Sequence, residues 1–311
     1  MQSVNKINGI GKGYIALAIT CIVWGTTWVA SKIGVKEFPA LQMASIRQLF
    51  GGLCFVLFFM GYKKMPLPTA KQFKWILVMS ILMFVFANGL STWSLKYIPT
   101  GLSALIGALY PLSVVLIERL IFKTKKMNTI TFIGLFLGLT GVGIVFYDSA
   151  FDNLTAEFIG GIALSVFAML CWSIGTIFIS RNQADINPYY GTGWQMLVSS
   201  VILFIMANAT GQTVSLSSIS LTSWLAVLYL VVFGSIIAFI AFIYSMKILP
   251  IAISSLYAYI NPLVAMLVAA FVLSEKLTIN ILWGAIVTLI GVYLVNLSNK
   301  SDTKIIAEAE I

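Results

Sequence analysis

The chain has 311 residues, 60% of them hydrophobic and 9% charged, with a net charge of +9 at pH 7 and a mean hydropathy of +1.00. A soluble domain averages about 25% charged residues, and a water-soluble core of this size has no room for so much apolar surface. The absence of histidine and the wide spacing of Cys21, Cys54 and Cys171 exclude a His- or Cys-based metal centre, Ser-His and Cys-His catalysis, and a disulfide framework.

The apolar runs predict an all-α integral membrane protein of ten spans, each of roughly 20 residues. The first, 14–34, lacks a small-residue cleavage site and is expected to be retained. Trp24, Thr27, Trp28 and Ser31 rise along it at helical spacing. The second, 39–61, opens on Pro39, and Arg47 lies eight residues in, about 12 Å along the helix. The third, 74–95, carries Asn88, Ser91, Thr92 and Trp93. The fourth, 100–122, follows Pro99, holds Ser103 and Tyr110-Pro111, and reaches Glu118 near its end. The fifth, 130–147, is short, with Gly134, Gly138 and Gly141 spaced for tight helix packing.

The sixth, 158–179, carries Trp172 and Thr176, and the seventh, 190–209, follows Pro188 and opens on Trp194 and Gln195. The eighth, 222–246, includes Tyr244, and the ninth, 251–273, follows Pro250 and includes Tyr257, Tyr259 and Asn261-Pro262. The last is 279–297, with Glu275 in the turn before it. The Tyr110-Pro111 and Asn261-Pro262 steps are expected to break their helices and expose carbonyls to a cavity.

Basic residues set the orientation. With the N-terminus inside, 14 of the 19 lysines and arginines fall on the cytoplasmic side, and Lys32, Lys36, Lys96 and Lys276 fall outside. This asymmetry places both termini, 1–13 and 298–311, in the cytoplasm. The same lysines sit in short loops, so their charge reports orientation, and no basic face exists to bind nucleic acid.

The two halves repeat one another. SLKYIPTGLSALIGALYPLSVVLIERLIFKTK at 94–125 aligns with SMKILPIAISSLYAYINPLVAMLVAAFVLSEK at 245–276. The matches include Lys96 with Lys247, Pro99 with Pro250, Ser103 with Ser254, Pro111 with Pro262 and Lys125 with Lys276. Two repeats result, 14–147 and 158–297, each of five spans. An odd span count inverts the second copy in the bilayer, the architecture of alternating-access carriers.

Several motifs carry a resemblance to a known family. They are WGTTW at 24–28, FPALQMASIR at 38–47, SLKYIPTGLSAL at 94–105, YPL at 110–112, ERL at 118–120, INPL at 260–263 and LSEKLT at 273–278. The chain resembles the drug/metabolite transporter superfamily, EamA type, over nearly its whole length. The resemblance implies a ten-span secondary carrier of a bacterial inner membrane, without cofactor or enzymatic activity. It implies efflux of small metabolites, amino acids or their derivatives first, with purines, sugars and drugs as alternatives. It also implies a cavity lined by spans 1, 3, 4, 6, 8 and 9. The expected partners are a small-molecule substrate and the lipid bilayer, and the chain is expected to act as a monomer or homodimer.

The expected cavity residues are Trp24, Thr27, Trp28, Ser31, Arg47, Asn88, Ser91, Tyr110, Trp172, Thr176, Tyr244, Tyr257 and Asn261. A ligand pocket is mostly apolar and aromatic with a few placed polar groups, which this set supplies. Arg47 has two readings: a grip on a substrate carboxylate, or a structural arginine held by backbone or a polar neighbour. Glu118 and Glu275 read either as a gate or proton site, or as acids that cap a helix end or pair locally, Glu118 beside Arg119 and Glu275 beside Lys276. Lys96 and Lys247 read as interfacial anchors, and Trp75, Trp224 and Trp283 as an aromatic belt. A membrane enzyme for lipid or prenyl substrates needs clustered acids, and the spans contain none. A lipid-linked flippase is the remaining rival.

Overall fold

The computed structural model describes residues 2–121, 129–153, 155–181, 185–249, 253 and 256–309. Lys123, Lys125, Lys126, Pro250 and Ser254, which contribute to the charge count or the repeat, lie outside the described residues. The described elements are all helical. In chain order they are α1 (Gln2–Gly34), α2 (Ala40–Tyr62), α3 (Ala70–Ser94), α4 (Thr100–Leu120), α5 (Thr129–Asn153), α6 (Ala156–Arg181), α7 (Pro188–Ala209), α8 (Leu221–Ile248), α9 (Tyr257–Leu273) and α10 (Ile279–Ala309).

Among the described residues, seven helices are long and apolar enough to cross a membrane: α1 to α4 and α6 to α8. The apolar stretches of the other three, Thr129–Val145, Tyr257–Leu273 and Ile279–Val295, are shorter. The expectation of ten full-length apolar spans is therefore met by length in seven. Large apolar side chains point outward throughout, Phe271 at 86% exposure among them. A surface of this kind is stable against lipid and not against water.

Local chemistry sets the helix ends. Thr69 and Gln72 form a capping box, the Thr69 hydroxyl accepting from the Gln72 N–H and the Gln72 carbonyl from the Thr69 N–H. Two orphan donors are satisfied this way, and α3 starts four residues before the apolar run at 74. Asn187 caps α7 through the N–H groups of Tyr189 and Tyr190. Ser274 closes α9 in the left-handed region at φ 55°.

Two features depart from the sequence pattern. Helices α3 and α8 wind into π-helix over Ser80–Gly89 and Leu230–Ile237. The two segments occupy equivalent places in the two halves. Helix α4 breaks at Leu109, just before Tyr110-Pro111, as the proline predicts. Helix α9 instead runs unbroken through Pro262, which corrects the expected break there. A membrane helix tolerates an interior proline because neighbours re-satisfy the freed backbone groups.

Packing is exchange-symmetric. Helix α2 packs on α7, and α5 on α10; each pair joins equivalent helices. Helix α1 packs on α8 and α9, while α6 packs on α3 and α4. Swapping each helix for the one five positions away turns the first set into the second. Glycines bring the α5–α10 pair together: a Cβ on Gly134 would stand 2.7 Å from the Gly291 carbonyl oxygen, and one on Gly284 2.6 Å from that of Gly141. The backbones touch there, as the small-residue spacing of α5 predicts.

Candidate functional site

A cavity of about 170 Å³ lies among α1, α2, α3, α4, α6, α8 and α9. It is small beside the about 300–1,000 Å³ of pockets for drug-sized ligands, and suits a metabolite of few heavy atoms. Helix α1 contributes Trp24, Thr27, Trp28 and Ser31, one face rising by helical steps. Helix α3 contributes Asn88, Ser91 and Thr92 from the end of its π segment and the turn beyond. Tyr110 comes from α4, Trp172 from α6, and Tyr257 and Asn261 from α9. Arg47 enters from α2, a helix absent from the expected lining.

Two expected residues lie elsewhere. Thr176 is one turn past Trp172, outside the lining, and its hydroxyl bonds back to the Ser173 carbonyl at 2.8 Å. Tyr244 is five residues past Phe239, the α8 residue that does line the cavity. Both were chosen by residue type; Thr176 shares the face of Trp172 but lies a turn farther along the helix, and helical phase turns Tyr244 away from the face of Phe239. Sequence reasoning missed Ser165, Met169 and Phe239 as lining residues. Serine, methionine and phenylalanine are ordinary membrane-helix residues, so no composition signal marked them.

The floor of the cavity is aromatic. The Trp24 ring is edge-on to Trp172, Phe239 and Tyr257, with centroids 6.4, 5.2 and 5.4 Å away, and tilted against Phe242 at 4.9 Å. Tyr110 stacks on Tyr257 at 6.1 Å. Edge-to-face contacts of this kind stabilise beyond area burial alone. The π segment of α8 presents the Gly234 carbonyl, which accepts the Trp24 indole N–H at 3.3 Å. π turns often mark functional sites because they displace backbone groups from the regular ladder.

Arg47 is 6% exposed. Its Nε donates to Ser235 Oγ at 3.0 Å. Among the described residues, no other hydrogen bond or ion pair reaches it, and the residue lines the cavity. Gly234 leaves space for them: a Cβ there would meet Thr27 Cγ2 at 2.8 Å and Arg47 Nη2 at 3.0 Å. The next residue, Gln48, donates to Asn88 Oδ1 at 2.9 Å, which fixes the amide at the cavity wall. On the opposite wall, Trp28 donates to Asn261 Oδ1 at 2.9 Å.

The edge glutamates engage residues remote in sequence. Glu275 accepts from the N–H of Thr100 at 2.9 Å and of Gly101 at 3.3 Å, so it caps α4 from the α9–α10 turn. Close by, Lys32 donates to the carbonyls of Leu95 and Ile98, tying the end of α1 to the α3–α4 turn. Glu118 reaches Arg181 of α6 at 3.8 Å. Glu275 thus acts as a cap, on a helix remote in sequence, and Glu118 has a partner on another helix, since helix ends that meet in space offer charge and donors to one another. Lys247 sits over the Tyr189 ring at 5.0 Å.

The family model for the EamA-like transporter family matches residues 11–147 and again 159–297. The uncharacterized inner membrane transporter YedA of Escherichia coli (strain K12) is 32% identical over 287 residues, covering 91% of this chain and 90% of that one. The uncharacterized transporter YoaV of Bacillus subtilis (strain 168) is 22% identical, covering 91% and 96%. One solved crystal structure matches 94% of this chain and 98% of its own with a TM-score of 0.66 at 16% identity, which shows a shared fold. The chain belongs to the EamA-like transporter family, and it is a multi-pass membrane transporter.

Proposed function

We propose that this EamA-family member carries a small, carboxylate-bearing metabolite by alternating access, and that amino acids or their derivatives are exported across a bacterial inner membrane. The observation that carries the reading is Arg47. A guanidinium taken out of water is costly unless its charge and donors are satisfied. Here one donor meets Ser235, and the side chain lines the cavity. A substrate carboxylate fills that position with two parallel charge-assisted hydrogen bonds. The aromatic floor takes the apolar part of the molecule.

The transport cycle uses ten spans in two inverted repeats, 14–147 and 158–297. The exchange-symmetric helix pairing supports this: if the halves trade conformations, the cavity faces the other side without new contacts being invented. Both termini are cytoplasmic in this reading, on the lysine and arginine asymmetry. Glu275 with the start of α4 latches one end, and Glu118 with Arg181 latches the other. Each latch is made of a few polar bonds between helix ends, so it opens at modest cost.

Counterflow in proteoliposomes tests the reading, with a labelled panel of amino acids, purines and sugars, with and without a pH gradient. Saturable exchange of a carboxylate-bearing solute, abolished by Arg47→Ala in a folded protein, is the expected result. Saturable transport of a neutral sugar or purine, unchanged in Arg47→Ala, removes the carboxylate role.

A further inference from the structure

The charge balance of the cavity narrows the substrate beyond a carboxylate. Among the described residues, Arg47 is the one charged side chain in the lining, and no aspartate or glutamate accompanies it. Glu37, Glu118 and Glu275 are engaged outside the cavity, at helix ends. The lining therefore carries a net charge of +1. A monocarboxylate without an amine brings it to zero. A zwitterionic amino acid leaves it at +1 and buries an ammonium in the same enclosure as the guanidinium. A second carboxylate finds no second cation.

The ammonium of a zwitterion meets neutral acceptors in this lining and no carboxylate. Each amide oxygen at the walls accepts one bond, Asn88 from Gln48 and Asn261 from Trp28, and keeps a second lone pair that is neutral. The Thr27 and Ser91 hydroxyls donate to backbone carbonyls of their own helices, so their oxygens can accept from an ammonium but bring no countercharge. A cation can rest on an open aromatic face, but four rings crowd Trp24 within 6.4 Å. Burying an ammonium without a countercharge is strongly unfavourable.

We propose that the preferred substrate is a monoanion: a carboxylate on a short apolar or aromatic skeleton whose amine is absent or masked, such as a 2-oxo acid or an N-acylated amino acid. This rests on the reading of the cavity as the transport site and of Arg47 as its carboxylate grip. The reaction that supplies such a substrate is a deamination, a transamination or an N-acylation.

The test uses the full chain in lipid nanodiscs and matched probes of near-equal size on three skeletons: alanine with pyruvate, leucine with 4-methyl-2-oxopentanoate, and phenylalanine with phenylpyruvate. Leucinamide serves as a cationic control. Titration calorimetry measures affinity, and proteoliposome counterflow measures transport. On at least one skeleton the oxo acid binds at least tenfold tighter than its amino acid, and leucinamide does not bind. Arg47→Gln collapses that ratio, and Arg47→Lys, which keeps the charge, preserves the order. Amino acids binding as tightly as their oxo acids overturn the monoanion inference and leave the carboxylate reading standing. If no carboxylate binds to folded protein, the carboxylate reading falls, and the inference falls with it.

Discussion

Arg47 and Ser235 are 188 residues apart in the chain and 3.0 Å apart in the structure, with Nε donating to Oγ. The bond holds the guanidinium of a residue that lines the cavity. Ser235 lies in the π segment of α8, so an irregular helix turn aims the charge that the proposed transport requires.

Removing that support loosens the grip without removing the charge. A hydrogen bond to a charged group is worth about 1.5–3 kcal/mol. Ser235→Ala is expected to raise KM for a carboxylate substrate about tenfold or more, with the maximal rate less affected. Initial-rate counterflow over a concentration series checks this. An unchanged KM shows that Arg47 is held by packing alone.

Trp24 joins the cavity floor to the same π segment through the Gly234 carbonyl. Trp24→Phe keeps most of the aromatic packing and deletes one N–H. The expected loss of stability is about 1 kcal/mol, read as a lowered midpoint in thermal unfolding of the detergent-solubilised protein. Thr176→Val and Tyr244→Phe, which alter residues outside the cavity, are expected to leave KM unchanged.

The α5–α10 contact tolerates no side chain at its centre. Gly284→Leu places a side chain against the Gly141 backbone, and overpacking of this kind costs about 1–3 kcal/mol or more. Yield of monodisperse protein after solubilisation is expected to fall sharply. Gly143→Ala is the matched control, because a Cβ there meets nothing within 4 Å.

Glu37 links the α1–α2 turn to the start of α8. Its carboxylate accepts from the Ser220 N–H at 2.8 Å, and bonds from Ser220 and Ser223 hold its pKa below the ordinary carboxylate value. A depressed folded-state pKa means the contact contributes in full above the unfolded value, about 4.3. The contribution is lost as pH falls through the folded value. Thermal midpoints are therefore expected to be insensitive to Glu37→Gln under strong acid, and to diverge in favour of the native protein toward neutral pH.

The latch at Glu275 makes a separate prediction. Glu275→Ala removes a cap worth about 0.5–2 kcal/mol from the start of α4. A rise in solvent accessibility of a cysteine placed at Gly101, measured by maleimide labelling in membranes, is expected. Unchanged labelling excludes Glu275 as a closing contact.

Much of the candidate site was legible by residue type. An arginine, two asparagines, three tryptophans and two tyrosines inside apolar runs are costly or unusual there, and eight such residues, Trp24, Trp28, Arg47, Asn88, Tyr110, Trp172, Tyr257 and Asn261, line the cavity. Phe239 and Ser165 carried no such mark. Thr176 and Tyr244 carried it and lie outside.

The membrane class, the helical content and the duplicated halves follow from hydropathy, proline spacing and glycine spacing, all properties of a linear pattern. The tertiary structure decided which face each residue presents, where α3 and α8 wind into π-helix, and that Glu275 caps a helix starting 175 residues earlier in the chain. The reason is physical. A helix that is apolar on every side has no amphipathic stripe to report its rotation, so its phase is set only by the helices that pack against it.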